Sequence, residues 1–266
     1  MDDSNPKSNR QNMRKGIFLL PNLFTTGALF AGFYAIIAAM KGNFEIAAMV
    51  IFLAMILDGL DGRVARMTNT QSAFGAEYDS LSDMVSFGVA PGLVMYQWSL
   101  QYLADVSNVM GKLGWLAAFI YTTCTALRLA RFNTQIGTAD KRYFQGLASP
   151  AAAAVVMGAV WVCETYTITG EDAKYPALIL TTLAGSLMVT TFSYYSFKDL
   201  DLRKRVPFVA VLAVMLVFVF LSIETATVLF LSFVAYMLSG PVIALFRWNR
   251  KRQRQHIEDA PPKEPE

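Results

Sequence analysis

Four aspartates are the residues of this sequence whose type and spacing best suit chemistry. Asp58 and Asp61 are three residues apart and Asp79 and Asp83 are four apart, so in helices each pair lies on one face. The segment between the pairs is short, which allows the two faces to converge. Converging carboxylates repel one another, and bound cations relieve this repulsion. Oxygen ligands with no histidine or cysteine nearby favour Mg²⁺, Mn²⁺ or Ca²⁺ over zinc.

Residues next to the aspartates fit a ligand that carries phosphate. Gly62 and Ala65 lie near the face of the first aspartate pair and leave room for a ligand, while Arg66 can pair with a phosphate. Gly75 precedes the second pair and is predicted to allow a tight turn before its helix. One carboxylate pair from each helix is the right supply for two adjacent divalent ions, an arrangement that suits phosphoryl transfer.

Carboxylates at a membrane edge also have other uses. They occur in proton and ion pathways, and a single aspartate at a helix end can be a cap. The stretch DGLDG could be a fragment of a calcium loop, but the later ligands of such a loop are missing. None of these uses explains all four aspartates in this pattern.

Composition points to a membrane protein. The 266 residues are 55% hydrophobic and 16% charged, with a mean hydropathy of +0.39, which is too apolar for an ordinary soluble domain. Cys124 and Cys163 both lie in apolar runs, so a disulfide framework is not expected. The lone histidine, His256, lies in a polar tail, which argues against a histidine-based metal site or acid–base pair. No nucleic-acid partner is expected.

The predicted fold is all-α, a polytopic membrane bundle with eight spans. Each apolar run has about the length that a helix needs to cross hydrocarbon. The predicted spans are 21–40, 44–64, 78–99, 113–131, 148–166, 175–196, 207–223 and 226–246. The seventh run, PFVAVLAVMLVFVFLS, is the weakest because it is short.

Charge sets the predicted orientation. With the N-terminus inside, all of the 23 Lys and Arg residues except Lys41, Lys112 and Lys174 fall on the inner side. Both termini are therefore expected to be cytoplasmic. The predicted divisions are a cytoplasmic or interfacial segment 1–16, a six-span core 17–200, two additional spans 201–247 and a disordered tail 248–266.

The aspartates belong to a longer pattern. The residues Asp58, Asp61, Gly62, Ala65, Arg66, Gly75, Asp79 and Asp83 fill D-x-x-D-G-x-x-A-R, eight residues, G-x-x-x-D-x-x-x-D. This pattern resembles the signature of the CDP-alcohol phosphatidyltransferase family. The stretches PNLFTTG (21–27), SFGVAP (86–91), ALRLARFN (126–133) and FQGLASPAAAA (144–154) are similar to the integral-membrane phosphatidylserine synthases of that family.

The resemblance implies a six-helix core with two divalent metals, Mg²⁺ or Mn²⁺, at the cytosolic side of an inner membrane. It implies that Asp58, Asp61 and Asp79 hold the first metal, that Asp58, Asp79 and Asp83 hold or approach the second, and that Asp83 is the general base. Further residues are implied to contact the cytidine diphosphate of CDP-diacylglycerol: Gly62, Ala65, Arg66, Gly75, Asn22 and Thr25. Family members are typically homodimers.

The reaction implied by the resemblance is CDP-diacylglycerol plus L-serine giving phosphatidylserine plus CMP. Serine brings a carboxylate, and Arg128 and Arg131 lie three apart at the end of the fourth span, where they could clamp it or a phosphate. They could equally be positive-inside anchors that pair with lipid phosphates. Ser86 could contact serine or a phosphate, although hydroxyls in membrane helices commonly bond to their own backbone.

Two alternatives to serine transfer are open. A sister enzyme could use glycerol 3-phosphate, inositol phosphate or choline, since the eight-residue signature does not read the acceptor. A divalent-cation transporter could use the aspartates as its pathway. A transporter needs polar residues that continue across the membrane, and EIAAMVIFLAM and VMYQWSL supply almost none.

Overall fold

A computed structural model of the chain describes residues 6–134, 143–195 and 224–258. Within these ranges the chain is almost entirely helical. Its α-helices are α1 (Pro6–Met40), α2 (Phe44–Met67), α3 (Ala73–Asp83), α4 (Ala90–Trp98), α5 (Asn108–Thr134), α6 (Ser149–Thr165), α7 (Lys174–Val189) and α8 (Thr225–Glu258). A π-helical segment, Met84–Val89, joins α3 to α4, and a 3₁₀ segment, Leu100–Asp105, follows α4.

Several helices suit a bilayer by length and composition. Among the described residues, Pro21–Met40, Asn108–Thr134 and Thr225–Phe246 are long and apolar enough to cross it, and α6 and α7 are shorter apolar helices. Large apolar side chains remain exposed on them, among them Phe30 (68% exposed) and Phe119 (58% exposed). An exposed apolar surface on this scale fits lipid contact rather than water. The prediction of a helical membrane protein is confirmed at this level.

Small residues allow α1 to pack closely on α2 and on the π-helical segment. Ala28 and Ala35 on α1 and Ala47 on α2 are buried with at most 2% of their surface exposed. A Cβ on Gly32 would lie 2.6 Å from Ser86 Oγ, so only glycine fits at this crossing. Close backbone approach is how helices associate in lipid, where apolar burial alone gives no advantage.

The third predicted span, 78–99, is one continuous helical column whose hydrogen bonding changes from the α to the π pattern in its middle. α3 begins earlier than predicted, at Ala73, and the column becomes π-helical from Met84 to Val89. Hydroxyl groups on α5 donate to carbonyls of this segment, from Tyr121 Oη to Phe87 O (2.9 Å) and from Thr122 Oγ1 to Gly88 O (3.4 Å). A π turn directly after Asp83 is typical of functional positions in helices.

A short antiparallel pair of strands was not predicted. β1 (Tyr143–Gln145) pairs with β2 (Ser193–Tyr195), with Phe144 opposite Tyr194. The sixth predicted span, 175–196, is therefore wrong at its end, because α7 stops at Val189 and the chain becomes extended. Gly146, with φ of +79°, follows β1 and lets the chain turn into α6.

The C-terminal region is described in part. The predicted seventh span, 207–223, lies outside the described residues. The predicted eighth span, 226–246, corresponds to α8, which continues to Glu258. The tail predicted to be disordered from 248 to 266 stays a prediction, and residues 259–266 lie outside the described residues.

Candidate metal and phosphate site

The turn between α2 and α3 brings the two aspartate pairs together. α2 ends at Met67, and Asn69 takes a left-handed conformation with φ of +51°, which asparagine tolerates better than most residues. Thr70 N–H then donates to Ala65 O at 3.0 Å, closing the end of α2. Ser72 caps α3 by accepting a hydrogen bond from Gly75 N–H at 3.0 Å.

The turn predicted at Gly75 is wrong in its position. Gly75 lies in the first turn of α3, and the left-handed residue is Asn69. A Cβ on Gly75 would lie 3.1 Å from Ser72 Oγ and 3.7 Å from Asn22 Oδ1. Glycine at this position therefore leaves room for the capping Ser72 side chain and keeps the space beside Asn22 free.

The aspartates form one cluster. Asp58, Asp61 and Asp79 each offer a carboxylate oxygen, and these oxygens all lie within 4.8 Å of one another. Asp83 interacts directly with Asp58 and electrostatically with Asp79. The convergence predicted from the spacing of the two pairs is present in the structure.

The cluster fits a divalent cation. Asp79 Oδ1 and Asp83 Oδ1 are both buried, and neither has a hydrogen-bond partner in the described part of the chain. A buried carboxylate oxygen with no partner carries a large desolvation cost, and a cation with oxygen ligands would offset that cost. The oxygen-only donor set suits Mg²⁺, Mn²⁺ or Ca²⁺.

Thr25 orients one of the candidate ligands. Its hydroxyl donates to Asp61 Oδ2 at 2.7 Å and also lies 3.2 Å from Pro21 O. Asp61 itself is 5% exposed. Sequence reasoning expected Thr25 to contact a nucleotide, whereas its hydroxyl in the structure supports the metal cluster.

An open cavity of about 300 Å³ lies against the cluster between α1, α2 and α3. All six residues predicted to contact the nucleotide line it. The complete lining is Pro21, Asn22, Thr25, Asp61, Gly62, Ala65, Arg66, Thr70, Gln71, Ser72, Gly75, Ala76 and Asp79. Arg66 is exposed there, and a Cβ on Gly62 would meet only the Arg66 guanidinium, at 3.6 Å. We call this space the open cavity.

A buried side of the cluster lies away from the open cavity and comprises Asp83, Arg128 and Ser149. Arg128 interacts electrostatically with Asp83 and Asp58, and its Nη1 donates to Ser149 Oγ. Its guanidinium also lies 6.0 Å from the centre of the Phe132 ring. Arg128 thus places a positive charge in the neighbourhood of the aspartates, and its hydrogen bond goes to Ser149.

The other two residues predicted to bind serine or phosphate have different neighbours. Arg131 Nη1 is 3.5 Å from Thr190 O, at the end of α7. Ser86 is fully buried, and its hydroxyl donates to Ala28 O on α1 at 2.9 Å. Both contacts hold helices together, and the predicted binding roles of Arg131 and Ser86 stay predictions.

Comparison with known proteins decides the family. The family model for CDP-alcohol phosphatidyltransferases matches residues 18–192. The chain belongs to this family. It is therefore a phosphatidyltransferase, and the transporter alternative is set aside. This family generally uses divalent metals, and the aspartate cluster supplies oxygen ligands that fit them.

Curated relatives share a single name, CDP-diacylglycerol–serine O-phosphatidyltransferase. The Helicobacter pylori protein is 37% identical over 203 residues, covering 76% of this chain and 83% of that protein. The Mycobacterium leprae protein is 39% identical over 160 residues, covering 58% and 50%. The Methanocaldococcus jannaschii protein is 40% identical over 145 residues, covering 54% and 61%.

A solved structure also resembles this phosphatidyltransferase. It is the Mycobacterium tuberculosis phosphatidylinositol phosphate synthase with CDP-DAG bound. The two chains are 19% identical with a TM-score of 0.48, over 68% of this chain and 85% of that one. A likeness at this level says nothing about the acceptor.

Sequence reasoning missed several residues of the phosphatidyltransferase site. Thr70, Gln71 and Ser72 line the open cavity, and their signal was the polar run TNTQS between the aspartate pairs. Ser149 holds Arg128, but it is twenty-one residues further along the chain. Nothing local in the sequence indicates that contact.

Proposed function

We propose that this chain transfers the phosphatidyl group of CDP-diacylglycerol to the hydroxyl of L-serine, giving phosphatidylserine and CMP. The observation that carries the proposal is the aspartate cluster, which has an open cavity on one side and a half-buried arginine on the other. The shared name of the curated relatives supports serine as the acceptor.

The aspartates would hold two divalent ions, Mg²⁺ or Mn²⁺. Asp58, Asp61 and Asp79 would bind one, and Asp58, Asp79 and Asp83 would bind or approach the other. When bound, the ions supply charge neutralisation at the pyrophosphate and at the leaving CMP. The partnerless buried oxygens of Asp79 and Asp83 support this assignment.

The open cavity would take the cytidine diphosphate. Arg66 can pair with a phosphate, and Gly62 and Ala65 let the ligand approach the α2 backbone. Asn22 and Gly75 border the same space from α1 and α3. Thr25 would act mainly through Asp61, because its hydroxyl already donates to that carboxylate.

The buried side would take serine. Arg128 would bind the serine carboxylate, and Asp83 would accept the proton of the serine hydroxyl. A bond forms between the serine oxygen and the phosphorus that carries diacylglycerol. The bond from that phosphorus to the bridging oxygen breaks, and CMP leaves with the electron pair. A positioned general base contributes roughly 10²–10⁴-fold to such a step.

A single arginine suits serine better than a phosphorylated acceptor. A phosphate carries more charge than a carboxylate and would favour a denser set of cations. In the described part of the buried side, Arg128 is the arginine directed at Asp58 and Asp83, whereas Arg131 contacts the end of α7. This difference supports serine over glycerol 3-phosphate or inositol phosphate.

The cellular setting follows from charge and hydropathy. We place the protein in the inner membrane with eight spans, both termini cytoplasmic and the aspartates at the cytoplasmic edge. The divisions 1–16, 17–200, 201–247 and 248–266 remain our proposal for the domain plan, and a homodimer is the expected assembly. The cytoplasmic placement would let water-soluble serine meet a membrane-bound nucleotide lipid.

The test is CMP release by the purified protein with CDP-diacylglycerol and Mn²⁺. L-serine, glycerol 3-phosphate, inositol phosphate and choline are added in turn. We expect release with L-serine only, together with phosphatidylserine in the lipid extract. Release with a different alcohol would overturn the acceptor while keeping the family, and no release with any alcohol would overturn the proposed function.

A further inference from the structure

A second cavity lies at the end of the helical bundle that is far from the aspartates. Its volume is about 420 Å³, within the range of small-molecule sites of roughly 300–1,000 Å³, and it lies between α4, α6, α7 and α8. Trp98, the last residue of α4, lines it. The helical column from Asp83 to Trp98 sets a distance of about 20 Å between the cavity and the aspartates. We call this space the distal cavity.

The distal cavity is apolar and opens toward lipid. Its walls consist of apolar and aromatic side chains and the thiol of Cys163. Trp98 and Ala177 are buried and form its floor. Ile179 (60% exposed) and Leu183 (50% exposed) border it on α7, an apolar helix that suits the bilayer. Water in this space would find few hydrogen-bond partners, so the ligand that fits the walls is a hydrocarbon chain.

Hydrogen bonds fix the end of the distal cavity that lies nearest the membrane surface. Trp98 Nε1–H donates to Glu164 Oε1 at 2.7 Å, so the indole group of the wall is already satisfied. Ser99 Oγ donates to Gly170 O at 2.6 Å, and a Cβ on Gly170 would collide with Trp98 O. These contacts lock the end of α4 to the connection between α6 and α7. The cavity is therefore a preformed space, as ligand pockets usually are.

Charged side chains at this end suit a phospholipid headgroup. Glu164 is bound to the cavity wall through Trp98, and Lys174 begins α7. Lys174 Nζ lies 3.8 Å from Glu171 Oε1, and Asp172 is exposed between them in the chain. A zwitterionic headgroup offers an ammonium group to the carboxylates and a phosphate to the lysine. Three carboxylates and one lysine make this an acidic rim, which disfavours an anionic headgroup.

We propose that the distal cavity binds an acyl chain of a zwitterionic, amine-bearing phospholipid from the leaflet opposite the aspartates, with its headgroup at the acidic rim. The lipid acts as a structural ligand, since the cavity is too far from the aspartates for it to react there. It joins α8 to the family core, because Phe230 on α8 lines the cavity whereas the matched family region ends at residue 192. This inference goes beyond the proposed function and does not depend on the acceptor.

Native mass spectrometry tests whether a lipid occupies the distal cavity. The protein is reconstituted in vesicles of equal parts phosphatidylethanolamine and phosphatidylglycerol, extracted in mild detergent and measured with its retained lipid. Ala159→Trp fills the cavity from α6, because Ala159 lines it and is only partly buried. We expect this variant to retain one phosphatidylethanolamine fewer per chain than the wild type. Ala235→Trp is the matched control, since Ala235 is exposed on α8 outside the lining, and it should retain the wild-type number.

Trp98 fluorescence gives a second measurement that needs no cavity-filling variant. A chain with Trp98 as its one tryptophan carries Trp115→Phe, Trp161→Phe and Trp248→Phe. It is placed in vesicles in which either phosphatidylethanolamine or phosphatidylglycerol has brominated acyl chains. We expect roughly threefold stronger quenching by the brominated phosphatidylethanolamine, the preference expected from one partly exposed ion pair. A chain that keeps Trp115 instead is the control, because Trp115 is 52% exposed on α5 and should be quenched equally by both lipids.

Glu164→Gln tests the preference for the headgroup. Glutamine keeps an acceptor for the Trp98 indole and removes the negative charge. We therefore expect the quenching of Trp98 by the two brominated lipids to become nearly equal in this variant. An unchanged preference would show that the headgroup does not lie at the acidic rim, and the inference would fail.

The other outcomes also decide the matter. Equal lipid retention by the wild type and a folded Ala159→Trp overturns the inference, and so does preferential retention of phosphatidylglycerol. Equal quenching of Trp98 by the two lipids in the otherwise unchanged chain has the same meaning. A wild type that retains no lipid indicates that a second copy of the chain covers the cavity. If Ala159→Trp does not fold, the quenching of Trp98 decides. Every readout is lipid binding, so the result is separate from that of the CMP-release experiment.

Discussion

The open cavity and the buried side meet at the same four aspartates but are built differently. The open cavity is formed by consecutive elements, α1 to α3, and most of its lining lies between residues 61 and 79. The buried side draws on α3, α5 and α6. One side is local in the chain and borders an open cavity, whereas the other is assembled from distant segments and is partly buried.

This difference teaches how one fold can serve several acceptors. A nucleotide common to all reactions can be read by a short local motif that stays constant. In the proposed function, the acceptor would be recognised by residues from separate helices, and these could differ without disturbing the aspartates. We therefore expect changes on the open cavity to affect CDP-diacylglycerol, and changes on the buried side to affect serine.

The largest effect is expected where the two sides meet. Asp58→Ala and Asp79→Ala each remove a ligand from the cluster and should lower kcat/KM by about 10³-fold or more. Mn²⁺ binding, measured by calorimetry, should be lost in both. Asp105→Asn is the control because Asp105 is exposed and lies in the 3₁₀ segment. Full Mn²⁺ binding in Asp58→Ala would rule out the cluster as the metal site.

Asp83→Asn tests the boundary of the buried side. Asparagine keeps the size of the side chain but cannot accept the serine proton, so kcat should fall roughly 10²–10⁴-fold. Binding of CDP-diacylglycerol should be partly kept, because Asp83 does not line the open cavity. Both quantities can be measured on one preparation by turnover and by calorimetry. A rate near that of the wild type would show that Asp83 is not the base.

Thr25→Val tests whether the hydrogen bond from Thr25 on α1 to Asp61 supports metal binding by the aspartate cluster. Valine has the shape of threonine but loses the 2.7 Å hydrogen bond to Asp61. Loss of a hydrogen bond that orients a metal ligand weakens metal affinity by roughly 10–100-fold, and we expect the low end of that range. Thr26→Val is the matched control, since Thr26 bonds Asn22 O and Tyr78 on the exposed side. Equal Mn²⁺ affinities in the two variants would contradict the role given to Thr25.

Gly62→Ala is the mildest change and isolates the open cavity. The added methyl meets only the Arg66 guanidinium at 3.6 Å, so it should introduce no steric strain into the fold. The KM for CDP-diacylglycerol should rise about fivefold because the methyl occupies ligand space.

Gly59→Ala is the control: a Cβ there meets nothing within 4 Å, and Gly59 is not part of the cavity lining. Both changes should stabilise α2 by about 0.5–1 kcal/mol. A raised KM in Gly59→Ala as well would point to a helix effect rather than a cavity effect.

The contrast between the two sides also explains what the sequence could predict. The helices α2, α5 and α6 match their predicted spans to within a few residues because their apolar runs are long. The convergence of the aspartates followed from spacing within one helix turn and a short connection. The predicted position of the turn was wrong because glycine was the expected turn residue, whereas Asn69 takes the left-handed conformation in the structure.

The buried side was harder to predict because its contacts join residues far apart in the chain. The hydrogen bond from Arg128 to Ser149 depends on how α5 and α6 pack. The π-helical segment after Asp83 left no pattern that distinguishes it from an α-helix. Hydrophobic periodicity indicates which residues face a core, but it does not indicate which two helices share a polar contact.

The most direct test of the central claim is a crossed kinetic measurement on two variants, Gly62→Ala and Arg128→Lys. The KM values for CDP-diacylglycerol and for L-serine are determined for each, with the wild type beside them. The account predicts that Gly62→Ala raises only the KM for CDP-diacylglycerol and that Arg128→Lys raises chiefly the KM for L-serine. If each variant raises both KM values equally, the two substrates are not read by separate sides of the aspartate cluster, and the account is contradicted.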